Sequence, residues 1–211
     1  MTHKVRTPAK AWQQMLRGNE RFVRGEPQHP RQDVERREEL AGGQAPSAAL
    51  FGCSDSRLSA EIIFDKGIGD LFVVRNAGQI ISESVLGSLE YAVSVLHVPL
   101  IVVLGHDECG AVLAAIDSTK PDAVVLPPHI ANLVAKIVPA VRRVAERGDI
   151  DSSEPDSSEV GKEHLRDTIA ELIESSELIS DAIAAGTLAI VGANYRLLEG
   201  TAIADIHVGN L

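Results

Sequence analysis

PLIVVLGHDECG, residues 99–110, sets the reading of this chain. Its first half is continuously apolar and rich in β-branched side chains. That is the pattern of a strand covered on both faces in a parallel sheet, not of a half-exposed one. Its second half abruptly brings an imidazole, two carboxylates and a thiol. Three other stretches share the apolar character: SAALFGC (47–53), DLFVVRN (70–76) and LAIVGANY (188–195). Segments with helical spacing lie between them: SAEIIFDKG (59–67), SESVLGSLEYAVSVLHV (82–98) and ECGAVLAAI (108–116). This alternation predicts an α/β fold, a mainly parallel sheet of four strands in the order 2-1-3-4 flanked by helices. TAIADIHV (201–208), after the turn LLEG, is expected to return as an antiparallel edge strand.

In that order strands 1 and 3 are neighbours, and their carboxyl ends flank the switch point where open α/β sheets bind ligands. Cys53 ends the first strand and His106 the third. After two residues His106 is followed by Cys109, expected in the first turn of the next helix, where the partial positive charge favours a thiolate. Two thiols and one imidazole are three protein ligands, the number found at catalytic zinc, whereas structural zinc has four. Thiolate and imidazole suit zinc better than magnesium or calcium. The competing reading, two buried cysteines acting as small hydrophobes, is disfavoured because both stand beside His, Asp and Arg instead of within apolar runs.

The first strand continues as CSDSR (53–57), and strand alternation would point Cys53, Asp55 and Arg57 to one side. Asp55 has two mutually exclusive partners. It can be a fourth metal ligand and close the site, or Arg57 can hold it by a bidentate ion pair. In the second case the metal keeps room for water, which Asp55 can orient and deprotonate. Low pH is expected to weaken the Asp55–Arg57 pair and favour the closed form.

The chain has 211 residues, 45% of them hydrophobic, and reads as a single domain over 1–211. Its 20 basic and 30 acidic residues give a formal charge of −10, which argues against nucleic acid or an anionic membrane surface as partner. No apolar run approaches the ~18 residues of a membrane span. MTHKVRTPAKAWQQ at the start carries no apolar signal core, so a reducing cytoplasm is expected and a structural disulfide is not. No G-x-G-x-x-G or G-x-x-x-x-G-K-[ST] is present.

Thr7 and Pro8 mark a helix start. The stripe Trp12, Met15, Leu16, Phe22 and Val23 then needs covering, by the chain's own core or by a partner subunit, and 1–25 is read as an N-terminal helical arm. VERREEL suggests a short helix. Pro139 should kink or restart the helix over 129–147. The acidic segment 148–159 is expected to be a mobile loop, and 160–185 a helix closed by Gly186. His129, His164 and His207 are assigned surface or structural places.

CSDSR followed by GHDECG resembles the β-class carbonic anhydrases, whose zinc motifs are C-x-D-x-R and H-x-x-C. The likeness extends through NERFV, GDLFVVRNAG, GSLEYAV and LAIVGANY. The resemblance implies reversible hydration of carbon dioxide to bicarbonate and a proton by zinc-bound hydroxide. It implies one Zn2+ per subunit on Cys53, His106 and Cys109, with Asp55 a further ligand only in a closed form and Asp55–Arg57 as the gating dyad. Gln44 would hydrogen-bond a substrate oxygen and Gly110 offer a backbone N–H. Phe72, Ala77 and, from a partner subunit, Tyr91 would line an apolar pocket. A homodimer or homotetramer is implied, with N-terminal helices embracing the neighbour. Some bacterial members hold an inhibitory bicarbonate on Trp, Arg and Tyr; Arg75 and Tyr195 match, but Leu50 stands at the Trp position. The same scaffold could instead hydrolyse carbon disulfide or carbonyl sulfide. A different class is a non-enzymatic structural or redox-responsive zinc protein with Asp55 as permanent fourth ligand.

Overall fold

The structure is a computed structural model that describes residues 7–147 and 155–211. Residues 1–6 of the expected arm and 148–154 of the expected acidic loop lie outside the described residues.

α1 (Pro8–Val23) begins as its sequence suggests, with Pro8 in the first turn and the Thr7 hydroxyl accepting from the Lys10 N–H at 3.3 Å. Its Ala11, Trp12 and Met15 are buried in the chain's own core, with Leu16 and Phe22 packed at the edge. Val23 is 45% exposed, so the stripe is covered in its middle and open at its end. α2 (Val34–Leu40) is capped by Asp33, whose carboxylate accepts from the Arg36 N–H.

The sheet consists of β1 (Ala48–Cys53), β2 (Leu71–Asn76), β3 (Leu100–His106), β4 (Ala189–Arg196) and β5 (Thr201–Val208). Its order is β2-β1-β3-β4-β5, with β5 antiparallel and the other pairs parallel. Each expected strand is present with its ends within a residue. The remaining helices are α3 (Ala60–Ile63), α4 (Glu83–Ser94), α5 (Gly110–Ser118), α6 (Pro128–Ala135), α7 (Val138–Arg147), α8 (Ser157–Ser175) and α9 (Glu177–Ala184).

Continuous apolar runs in β1 and β3 follow from cover on both faces. Leu50, Val102 and Val191 pack with α1, α3, α5, α6 and α7. Phe51, Ile101 and Ile190 face the opposite way, against α4, α8 and α9. Pro139 stands at the start of a fresh helix, α7, as one of its two expected outcomes.

Two expectations are corrected. The helix expected over 160–185 is two helices. Ser176 leaves helical dihedrals (φ −134°, ψ 102°), accepts from the Ile179 N–H at 3.3 Å and donates to Glu90 Oε1 at 2.6 Å. The loop expected to run to 159 ends earlier, because Asp156 caps α8 through the Glu159 N–H at 2.9 Å. For the site, the decisive feature is the parallel pairing of β1 with β3, Gly52 opposite Leu104, which sets both carboxyl ends side by side.

Candidate metal centre

Cys53 is the last residue of β1 and His106 the last of β3. Cys109 is the N-cap of α5 (φ −75°, ψ 116°), one position before the helical turn that the sequence suggested. The ligand atoms of these three buried residues all lie within 4.8 Å of one another. One ion with bonds of about 2.0–2.3 Å reaches all three after small adjustments.

The donor set itself fits a cation. His106 Nδ1 is 2.7 Å from the carbonyl oxygen of Asp107, so it carries the proton and donates. Nε2 is then a bare lone pair, buried and without a partner. An unpartnered buried nitrogen beside two thiols is costly unless something electropositive sits among them. The two thiols shift each other's acidity in opposite directions. Cys53 is pulled down, chiefly by the neighbouring Cys109 thiol and against its own burial, with the Gly78 N–H helping. Cys109 is pushed up, first by the neighbouring Cys53 and then by burial. A cation that displaced the thiol protons would hold both as thiolates.

Asp55 and Arg57 are not on the strand, which stops at Cys53. A turn closed by the Leu58 N–H on the Asp55 carbonyl carries them. Arg57 Nε donates to Asp55 Oδ1 at 2.9 Å and Nη2 to Oδ2 at 2.7 Å, while the Arg57 backbone N–H adds a third bond at 2.9 Å. Nη2 also reaches the Glu108 carbonyl at 3.1 Å, tying the end of β1 to the end of β3. Asp55 Oδ2 lies 3.9 Å from His106 Nε2. Arg75 grips the same turn from β2, donating to the carbonyls of Cys53 (2.9 Å) and Asp55 (2.7 Å).

The carbonic anhydrase family model matches residues 48–202, which contain every residue of this cluster. The chain belongs to the β-carbonic anhydrase family. It is 50% identical over 208 residues to carbonic anhydrase 2 of Mycobacterium tuberculosis, covering 97% of this chain and 96% of that one. It is 46% identical over 204 residues to the carbonic anhydrase of Mycolicibacterium smegmatis, again covering 97% and 96%. Among solved structures, a tetrameric β-carbonic anhydrase from Sordaria macrospora superposes with a TM-score of 0.72 at 26% identity, over 82% of this chain and 87% of that one.

For a β-carbonic anhydrase, the remaining expected site residues are unevenly placed. Gly110 is exposed at the start of α5, with open space where a Cβ would stand, and Ala77 is exposed in the turn after β2. Gln44 lies in the exposed segment that leads into the amino end of β1, whereas Cys53 closes the carboxyl end. The six-residue strand between these ends spans about 17 Å. Phe72 is near the amino end of β2, paired with Ala49, and its ring centroid is 6.2 Å from that of half-exposed Tyr91 on α4. Within one chain Gln44 and Phe72 stand toward the amino ends of their strands, opposite the ends that carry the thiols. Leu50 and Tyr195 are buried.

The guanidinium of Arg57 beside Asp55 holds that carboxyl well below the usual carboxylate range. A depressed carboxylate keeps its pair above the unfolded value of about 3.9 and loses it only as pH falls through the lower folded value. Acidification from pH 8 to 5 is therefore expected to leave the Asp55 carboxyl ionised and able to keep its pair with Arg57. Carboxyl NMR of the zinc-loaded protein checks this. Arg57→Gln should raise the Asp55 midpoint by about 1 unit or more. A wild-type midpoint at or above 4 would contradict the account.

Proposed function

We propose that this protein hydrates carbon dioxide reversibly to bicarbonate and a proton, the activity of its family, with one zinc ion per subunit held by Cys53, His106 and Cys109. The observation that carries this reading is the bare, buried His106 Nε2 beside two buried thiols, flanked by an Arg57-held carboxylate.

When bound, zinc supplies the Lewis acidity that makes water nucleophilic near neutral pH. The chain's own residues do the rest. The Asp107 carbonyl fixes the His106 tautomer. Asp55, clamped by three bonds from Arg57, presents Oδ2 toward the His106 Nε2 side. Its depressed pKa makes it a poor proton store, so it accepts a hydrogen bond and orients the nucleophile. The Gly110 N–H, at the start of α5, is available to a substrate oxygen.

Gln44, Phe72 and Tyr91 complete the pocket from a second copy of the chain. The places of Gln44 before β1 and of Phe72, beside Tyr91, near the start of β2 support this, because the same chain's Cys53 and His106 stand at carboxyl ends. A homodimer or homotetramer is the assembly this requires, and tetramers are found in the Sordaria relatives. No described helix is long and apolar enough to cross a membrane, and a cytoplasmic place is in keeping with the two free thiols.

The test assays carbon dioxide hydration by stopped flow beside carbon disulfide hydrolysis, on zinc-loaded wild type and Asp55→Ala. Hydration should be present and fall by about 100-fold in the variant. Sulfide release without hydration would replace this reading with the hydrolase, and inactivity toward both would leave a structural zinc protein.

A further inference from the structure

His164 lies on α8, away from the metal ligands, yet it is only 3% exposed. Its Nε2 is 2.6 Å from the carbonyl oxygen of Gly78, so Nε2 carries the proton and donates. Nδ1 has no partner. Burial pushes this histidine's pKa down, keeping the ring neutral. One turn further along, the Thr168 hydroxyl lies 2.9 Å from the His164 carbonyl and 3.3 Å from that of Gln79. Helix α8 thus holds the Gly78 carbonyl, in the turn that follows β2, through His164, and the Thr168 hydroxyl, with one proton between two carbonyls, adds a weaker, shared hold on that of Gln79.

That turn needs holding. Gly78 and Gln79 both have positive φ, +77° and +40°. A side chain at Gly78 would press on Ala111 at 2.9 Å and Ile137 at 3.1 Å, so the turn is wedged against α5 and the start of α7. On its other side the Gly78 N–H points at Cys53 Sγ, 3.4 Å away. An N–H donor to a metal-site thiolate draws charge from the sulfur and fixes its orientation.

We propose that His164, seconded by Thr168, is a positioning residue for the metal centre: it locks the Gly78 turn so that the Gly78 N–H stays on the Cys53 sulfur. This rests on the reading of Cys53 as a metal ligand. His164 touches neither metal nor substrate, and its effect is carried by one residue of backbone.

The test compares His164→Leu, which removes the donor, with His164→Gln, whose amide nitrogen can reach the same carbonyl. Two readouts serve: the thiolate-to-metal charge-transfer band of the cobalt-substituted protein, and the rate at which a chelator strips zinc from the holoprotein. His164→Leu should shift the band and release zinc about 10-fold faster, while His164→Gln should behave like wild type. A leucine variant with the wild-type band and rate overturns the proposal, as does a glutamine variant as impaired as the leucine one. If His164→Leu does not fold, Thr168→Val takes its place. It should shift the band in the same direction by a smaller amount, and an unchanged band overturns the proposal. A wild-type cobalt protein lacking the band would overturn the metal reading itself, an outcome distinct from either.

Discussion

Cys109→Ala is expected to strip the protein of zinc and of carbon dioxide hydration together. Apparent zinc binding at four-ligand structural sites is worth on the order of 12 kcal/mol. One ligand then carries roughly 3 kcal/mol, more than a hundredfold in affinity. Cys109 is a cap residue with a small side chain, and no side-chain cap bond is lost with it. The fold should therefore survive, and circular dichroism will separate lost metal from lost structure. Metal analysis after dialysis should find less than a tenth of the wild-type zinc. Full zinc retention by folded Cys109→Ala would show that the three-residue site is misread.

Gly18→Ala is expected to produce the largest loss of stability from a single methyl. In an exposed helix the change would stabilise by about 1 kcal/mol. Here the added Cβ would stand 1.8 Å from the Phe64 carbonyl oxygen and 2.7 Å from its carbon. Backbone cannot yield as a side-chain tip can, so α1 must shift off the end of α3. The neighbouring Asn19 would go with it. Its amide donates to the carbonyls of Ile63 (3.1 Å) and Gly200 (2.8 Å), and its oxygen accepts from the Ala202 N–H. Buried overpacking plus broken bonds of this kind should cost about 3 kcal/mol or more. Urea unfolding reads this as a lower midpoint at unchanged slope. A midpoint equal to or above wild type would mean that α1 is not seated as described. Cys53, His106 and Cys109 stand on β1, on β3 and at the cap of α5, so zinc binding under native conditions should persist.

The strands were legible because cover on both faces writes itself as an unbroken apolar run, and a parallel order then places Cys53 beside His106 without further information. The Asp55–Arg57 pair was legible as chemistry but not as geometry. Alternation along a strand was the expected cause of their common side, whereas β1 ends at Cys53 and a turn, gripped by Arg75 and Arg57, does the work. The break between α8 and α9 has no Pro or Gly to announce it. It depends on Ser176 reaching Glu90, 86 residues away in sequence. His164 was assigned a surface or structural place for a similar reason. A lone histidine in a charged helix reads the same whether it meets water or a carbonyl, and its partner Gly78 is also 86 residues distant. Any contribution to the pocket from a second copy would leave no trace in one chain beyond the resemblance to the family.

In the proposed function, Cys53, His106 and Cys109 hold one zinc that makes this chain a carbon dioxide hydratase. Zinc titrated into metal-free protein, with hydration followed by stopped flow at each step, tests it most directly. Activity should rise in proportion to zinc and break sharply at one ion per chain. Binding of one zinc with no hydration at any point, or hydration already complete before zinc is added, would contradict it.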